Sequence, residues 1–135
     1  MLTLFVMPSG EENADIDKTV RSFQSVRPIE LVTITDWTQV NGRANNDWFG
    51  IFWDNEHLAV DLSEALPFYF GNLTYDALLC YKYIGPEEAS YRMRFFRRHV
   101  HLTEDFKPLR MFMKVETILD GFVQSHENLR LVHSQ

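Results

Sequence analysis

Asn46-Asp47-Trp48-Phe49-Gly50-Ile51-Phe52-Trp53-Asp54-Asn55-Glu56-His57 is the stretch on which the fold reading of this chain turns. Trp48 to Trp53 holds five aliphatic or aromatic residues and one glycine, a run that fits a short strand covered on both faces. Two acids, Asp54 and Glu56, stand one residue apart at its end. Along a strand, residues i and i+2 point the same way, so the two carboxylates repel unless a positive charge lies between them. A hard divalent cation with oxygen ligands, Mn²⁺ or Mg²⁺, meets that need. The competing reading is a solvated acidic turn at a sheet edge, and a D-x-E by itself does not decide between them.

Outward from this stretch, the chain has 135 residues, enough for one domain with one core. Apolar residues make up 45% and aromatics 14%, which places it among globular proteins. The net charge of −6 argues against a general nucleic-acid binder, which would be basic. One cysteine, Cys80, excludes an internal disulfide, and its apolar surroundings predict a buried small hydrophobe. No stretch approaches the length of a membrane span, and the first apolar run has no basic flank. A soluble, cytoplasmic protein is expected.

Upstream, Leu2 to Met7 predicts a strand stopped by Pro8-Ser9-Gly10. Glu11, Glu12 and Asp15 then load a helix start with acid, and Ile16, Val20 and Phe23 recur at helical spacing, giving a helix over 14–25. Ile29 to Thr35 reads as a second strand ending at Asp36. Strand, helix and strand within about thirty residues make a βαβ unit. The polar segment 36–47 reads as a loop.

Downstream, Asp61 or Ser63 caps a helix over 61–70, with Pro67 bending or shortening it. A strand follows over 75–84. Tyr91 to Arg97 alternates Tyr, Met and Phe with Arg92 and Arg94, the pattern of a half-exposed strand. A further strand is expected over 109–116, with a turn at Asp120-Gly121 before Phe122-Val123. The fold class is α/β, with a mostly parallel central sheet flanked by helices. Ligands of such sheets bind beyond the carboxyl ends of the strands. Pro8-Ser9, Asp36 and Asp54/Glu56 all fall at such ends.

The same segments, in the same order, resemble the family-two glycosyltransferases of GT-A fold, which use nucleotide-diphosphate sugars. Leu4 to Glu12 resembles their opening strand, Pro turn and acid, and Ile34-Thr35-Asp36 their nucleoside-contacting strand end. Asn46 to Glu56 resembles the entry to their D-x-D motif, with Glu in place of the second Asp. Tyr91 to Arg98 resembles an R-x-F-R-R stretch of lipopolysaccharide-type members. Val115-Glu116, Asp120-Gly121 and His126 resemble a later acid, turn and histidine. Two departures stand out: only seventeen residues separate Asp36 from Asp54, and the acceptor half is short. A truncated GT-A domain is the form the resemblance implies.

On that resemblance, Asp54, Glu56 and His126 bind a divalent cation. Pro8, Ser9, Glu11, Asp36, Arg94 and Arg97 hold a nucleotide-diphosphate sugar, because Arg forks match phosphate oxygens. Glu116 takes the proton of an unknown acceptor, and the metal neutralises the leaving diphosphate. The arginines read equally as a solvated strand face, and His99 and His101 as a weak metal pair. The alternative is a chain that keeps the fold, has lost catalysis and serves as a binding or assembly module.

Overall fold

The computed structural model describes residues 1–12, 14–24, 26–71, 75–83, 89–104, 107–108 and 115–125. Strand β1 (Leu2–Met7), helix α1 (Ile16–Phe23) and strand β2 (Ile29–Thr33) form the expected unit, with β2 parallel to β1. Strand β3 (Trp48–Trp53) lies parallel on the other side of β1, setting Phe5 opposite Ile51. The strands β4 (Glu56–Leu58), β5 (Ala77–Tyr83), β6 (Ala89–Arg97) and β9 (Val115–Ser125) complete one sheet in the order β2-β1-β3-β6-β5-β9-β4. Two short strands, β7 (Leu102–Glu104) and β8 (Lys107–Pro108), pair separately.

The sheet is mixed, not mostly parallel. β6 enters antiparallel between β3 and β5, and β4 runs antiparallel to β9. Its central place also overturns the half-exposed reading of β6: Arg94, Phe95 and Phe96 are all buried. Alternation fails there because the register against β5 slips, pairing Leu78 with Phe95 but Leu79 with Met93. Arg94 is the extra residue. Such a bulge re-aims a side chain, and the guanidinium comes to lie 5.2 Å from the Phe52 ring centroid.

Both faces of the sheet are covered, as the apolar run in β3 requires. Leu2, Leu4, Val6, Trp48 and Phe52 pack on one face with Phe23 of α1 and with Leu62, Leu66 and Phe70 of helix α2 (Val60–Phe70). Phe5, Met7, Phe49 and Ile51 pack on the other with Val40, Phe96 and Leu102. The segment expected as a plain loop therefore works as a lid. It holds a single-turn 3₁₀ helix, Trp37–Val40, whose Val40 is buried in that second core. The short connection from Asp36 to Asp54 thus suffices to close one face.

Gly50 keeps the first face packed. Phe95 fills the place its side chain would take: a Cβ there would stand 3.0 Å from Phe95 Cε1. Helix α2 starts one residue earlier than expected. Ala59 stands at the cap position with no side-chain cap, and Asp61 and Ser63 fall within the helix instead. Pro67 sits inside the helix without ending it, and the Trp48 indole donates to the terminal Phe70 carbonyl at 3.0 Å.

Sheet order and chain length together demand curvature. Only three residue steps join the end of β3 to the start of β4, a reach of about 10 Å. Four strand spacings, about 19 Å in a flat sheet, separate the same strands in the order above. The sheet therefore curls until β4 lies against α1. There Thr19 Oγ1 donates to the Glu56 carbonyl, and the Leu58 N–H donates to Ser22 Oγ at 3.0 Å.

At the carboxyl end of the chain, the strand expected over 109–116 begins at Val115 among the described residues. Asp120-Gly121 is not a turn. It lies within β9, where the register against β5 jumps from Leu79–Thr117 to Tyr81–Phe122. No described helix is long and apolar enough to cross a membrane.

Candidate functional site

The carboxyl ends of β1, β2 and β3 lie side by side because all three strands are parallel and in register. Beyond them opens a cleft of about 230 Å³. Val6, Met7 and Pro8 line it from the end of β1, and Thr33, Ile34 and Thr35 from the end of β2. Ile16, in the first turn of α1, forms another wall, and among the described residues Asp54 is the one ionisable residue in the lining.

Asp54 holds the loop that follows β1. Its Oδ1 accepts from the Ser9 N–H at 2.9 Å and from Ser9 Oγ. Ser9 Oγ in turn accepts from the Glu11 N–H at 3.2 Å. The Asp54 backbone is fixed from both sides, by Met7 O at 2.9 Å and by the Asp15 N–H at 3.1 Å. Among the described residues, Oδ2 of Asp54 receives no hydrogen bond. Asp54 is half-buried as a residue, so that oxygen keeps its acceptor capacity.

Glu56 is placed elsewhere than expected. β3 stops at Trp53, Asp54-Asn55 form a turn, and Glu56 opens β4. The rule that i and i+2 share a side holds within one strand and not across this turn. Glu56 is fully buried. Its Oε1 accepts from Arg94 Nη1 at 2.7 Å and from the Trp53 N–H at 2.8 Å, and its Oε2 accepts from Arg94 Nη2 at 2.8 Å. A carboxylate engaged at both oxygens and shut off from solvent has nothing to offer a cation shared with Asp54.

The same pairing withdraws Arg94 from any phosphate: its guanidinium neutralises Glu56 and also donates to the Ile51 carbonyl at 3.3 Å. Arg97 lies at the wrong end of the sheet. It pairs with Trp48 in register and stacks over that indole, 4.3 Å from the ring centroid. Five residue steps along β3, about 17 Å, separate Trp48 from Trp53 beside the cleft.

The Asp36 carboxylate caps the 3₁₀ helix, accepting from the Thr38 N–H at 3.0 Å. Its neighbour Thr35 reaches the cleft instead. His99 and His101 do not converge: His99 Nε2 is 3.2 Å from Asp76 Oδ1, while His101 Nε2 is 3.4 Å from the Asn41 amide. Glu116 lies in β9 opposite Leu78 in register, and His126 is outside the described residues. Among the described residues no group of three or more His, Cys, Asp or Glu could hold a metal ion.

Of the residues expected in the site, the structure brings together Pro8, Ser9 and Asp54. Sequence reading missed the apolar walls, Ile16 and Ile34. Only the shared strand-end position pointed to them. Compared with known proteins, the chain matches no family model and no curated protein.

Proposed function

We propose that this protein is a non-catalytic binding module whose ligand occupies the cleft beyond β1, β2 and β3. The observation that carries this reading is the pairing of Glu56 with Arg94. It consumes one expected metal ligand and one expected phosphate clamp together. What is left is a small, largely apolar cleft with a single carboxylate, a composition suited to holding a ligand. The reading includes a cytoplasmic site of action, in keeping with a free, buried Cys80.

A compact GT-A-like transferase is the second reading, favoured by the open Oδ2 of Asp54 at the strand ends. Its cation would be held by Asp54 and by the phosphates of a nucleotide-diphosphate sugar, since Mg²⁺ and Mn²⁺ keep waters and lean on substrate oxygens. Metal and nucleotide would then strengthen each other's binding by the same factor. Calorimetric titration of uridine and guanosine diphosphates, in Mn²⁺ and in chelator, separates the two readings. The module reading expects no metal-dependent binding at millimolar nucleotide. Metal-dependent binding that Asp54→Asn abolishes would overturn it in favour of the transferase.

A further inference from the structure

We infer that the cleft takes a small organic cation, an ammonium group carried on a short apolar chain. This rests on the reading of the cleft as the ligand site and names the ligand's chemistry.

Charge is the first argument. Among the described residues, Asp54 is the one ionisable group in the lining, and no Lys or Arg lines it. The two arginines expected to answer phosphate are committed elsewhere, Arg94 to Glu56 and Arg97 to Trp48 and the Tyr75 carbonyl. A phosphate entering this cleft would meet a carboxylate with no cation to offset it.

The start of α1 does not supply that cation. Its Asp15 side chain accepts from the Lys18 N–H at 3.2 Å, and the Asp15 N–H donates to the Asp54 carbonyl. The helix start is thus partly answered by the chain's own acceptors and carries the negative charge of Asp15 and Asp17.

Hydrogen bonding is the second argument. Oδ1 of Asp54 already takes two donors from Ser9, whereas Oδ2 takes none among the described residues. An ammonium brings three donors and no acceptor. Oδ2 receives one of them in a charge-assisted bond, and Thr33 and Thr35 are the other polar residues of the described lining.

Size and polarity are the third. A cleft of about 230 Å³ admits a small organic group rather than a nucleotide. The walls Val6, Met7, Pro8, Ile16 and Ile34 suit methylene groups.

The test uses the full chain, ¹⁵N-labelled, with n-butylammonium and n-butyrate as matched probes of opposite charge. Butylammonium should shift the amide resonances of Val6, Thr33, Thr35 and Asp54 saturably at millimolar concentration, and butyrate should not. Asp54→Asn, which keeps an oxygen for Ser9 and removes the charge, should weaken butylammonium binding at least tenfold. Equal or stronger binding of butyrate, shifts confined to residues outside the cleft, or an unaltered affinity in Asp54→Asn would each overturn the cation assignment alone. Binding of uridine diphosphate only in Mn²⁺ would overturn the module reading with it.

Discussion

Glu56 and Arg94, 38 residues apart in the chain, meet through two hydrogen bonds of 2.7 and 2.8 Å with side chains 0% and 3% exposed. The pair ties β4, at one edge of the curled sheet, to β6 in its middle. Removing both ions from water is costly. The geometry answers that cost with a two-pronged contact, the Trp53 N–H on Oε1 and the Phe52 ring beneath the guanidinium.

Breaking one side of the pair should therefore do more harm than removing both. Arg94→Met leaves a buried, uncompensated carboxylate and should cost about 3–5 kcal/mol in urea unfolding. Adding Glu56→Gln, which keeps an oxygen for Trp53 and removes the charge, should restore much of that loss. A single variant within about 1 kcal/mol of wild type would show that the pair is not buried in solution.

Gly50 should not accept a side chain. Gly50→Ala puts a methyl 3.0 Å from Phe95, a fully buried ring. Overpacking of this kind costs about 1–3 kcal/mol. The urea midpoint should fall with an unchanged slope; an unchanged midpoint would mean that Phe95 has room to retreat.

Asp54 should be the anchor of the loop after β1. Asp54→Ala removes the acceptor of both Ser9 donors and should raise amide exchange at Ser9 while lowering stability by about 1 kcal/mol. Asp54→Asn should keep most of the protection at Ser9, because its side-chain oxygen can take the same bonds. Equal protection at Ser9 in wild type and Asp54→Ala would rule the anchor out.

Cys80 should resist thiol reagents in the native state. Burial pushes its thiol from 9.0 up to about 12, while the nearby Arg94 charge pulls the other way. In the unfolded chain the thiol ionises above about pH 9, so unfolding then releases a proton. The stability Cys80 contributes should be constant below pH 9 and decline as pH rises towards 12. Comparing wild type with Cys80→Ala across that range isolates the effect: the gap in unfolding free energy should narrow. Rapid labelling of the folded protein at pH 8 would place Cys80 at the surface instead.

Local signals in the sequence set the front half of the fold. The Leu2–Met7 and Trp48–Trp53 strands fall where apolar runs end in punctuation, and α1 falls where Ile16, Val20 and Phe23 repeat. These patterns depend on residues close in the chain and need no partner to be recognised. Parallel alignment of β1, β2 and β3 then made Pro8 and Asp54 neighbours, and that much of the site was legible as well.

Tertiary structure decided the rest. Whether β6 lies at an edge or in the middle depends on what pairs with it, and its alternating pattern fits an edge equally well. One extra residue in its register carried Arg94 into the core. The curl of the sheet, set by the place of β4 beside β9, brought Glu56 to meet it. Asp54 and Glu56 are two residues apart in sequence, yet a turn between strands sends one carboxylate to a cleft and the other to an arginine. Spacing could not reveal that division, because the side-chain partners come from distant segments that only folding brings together.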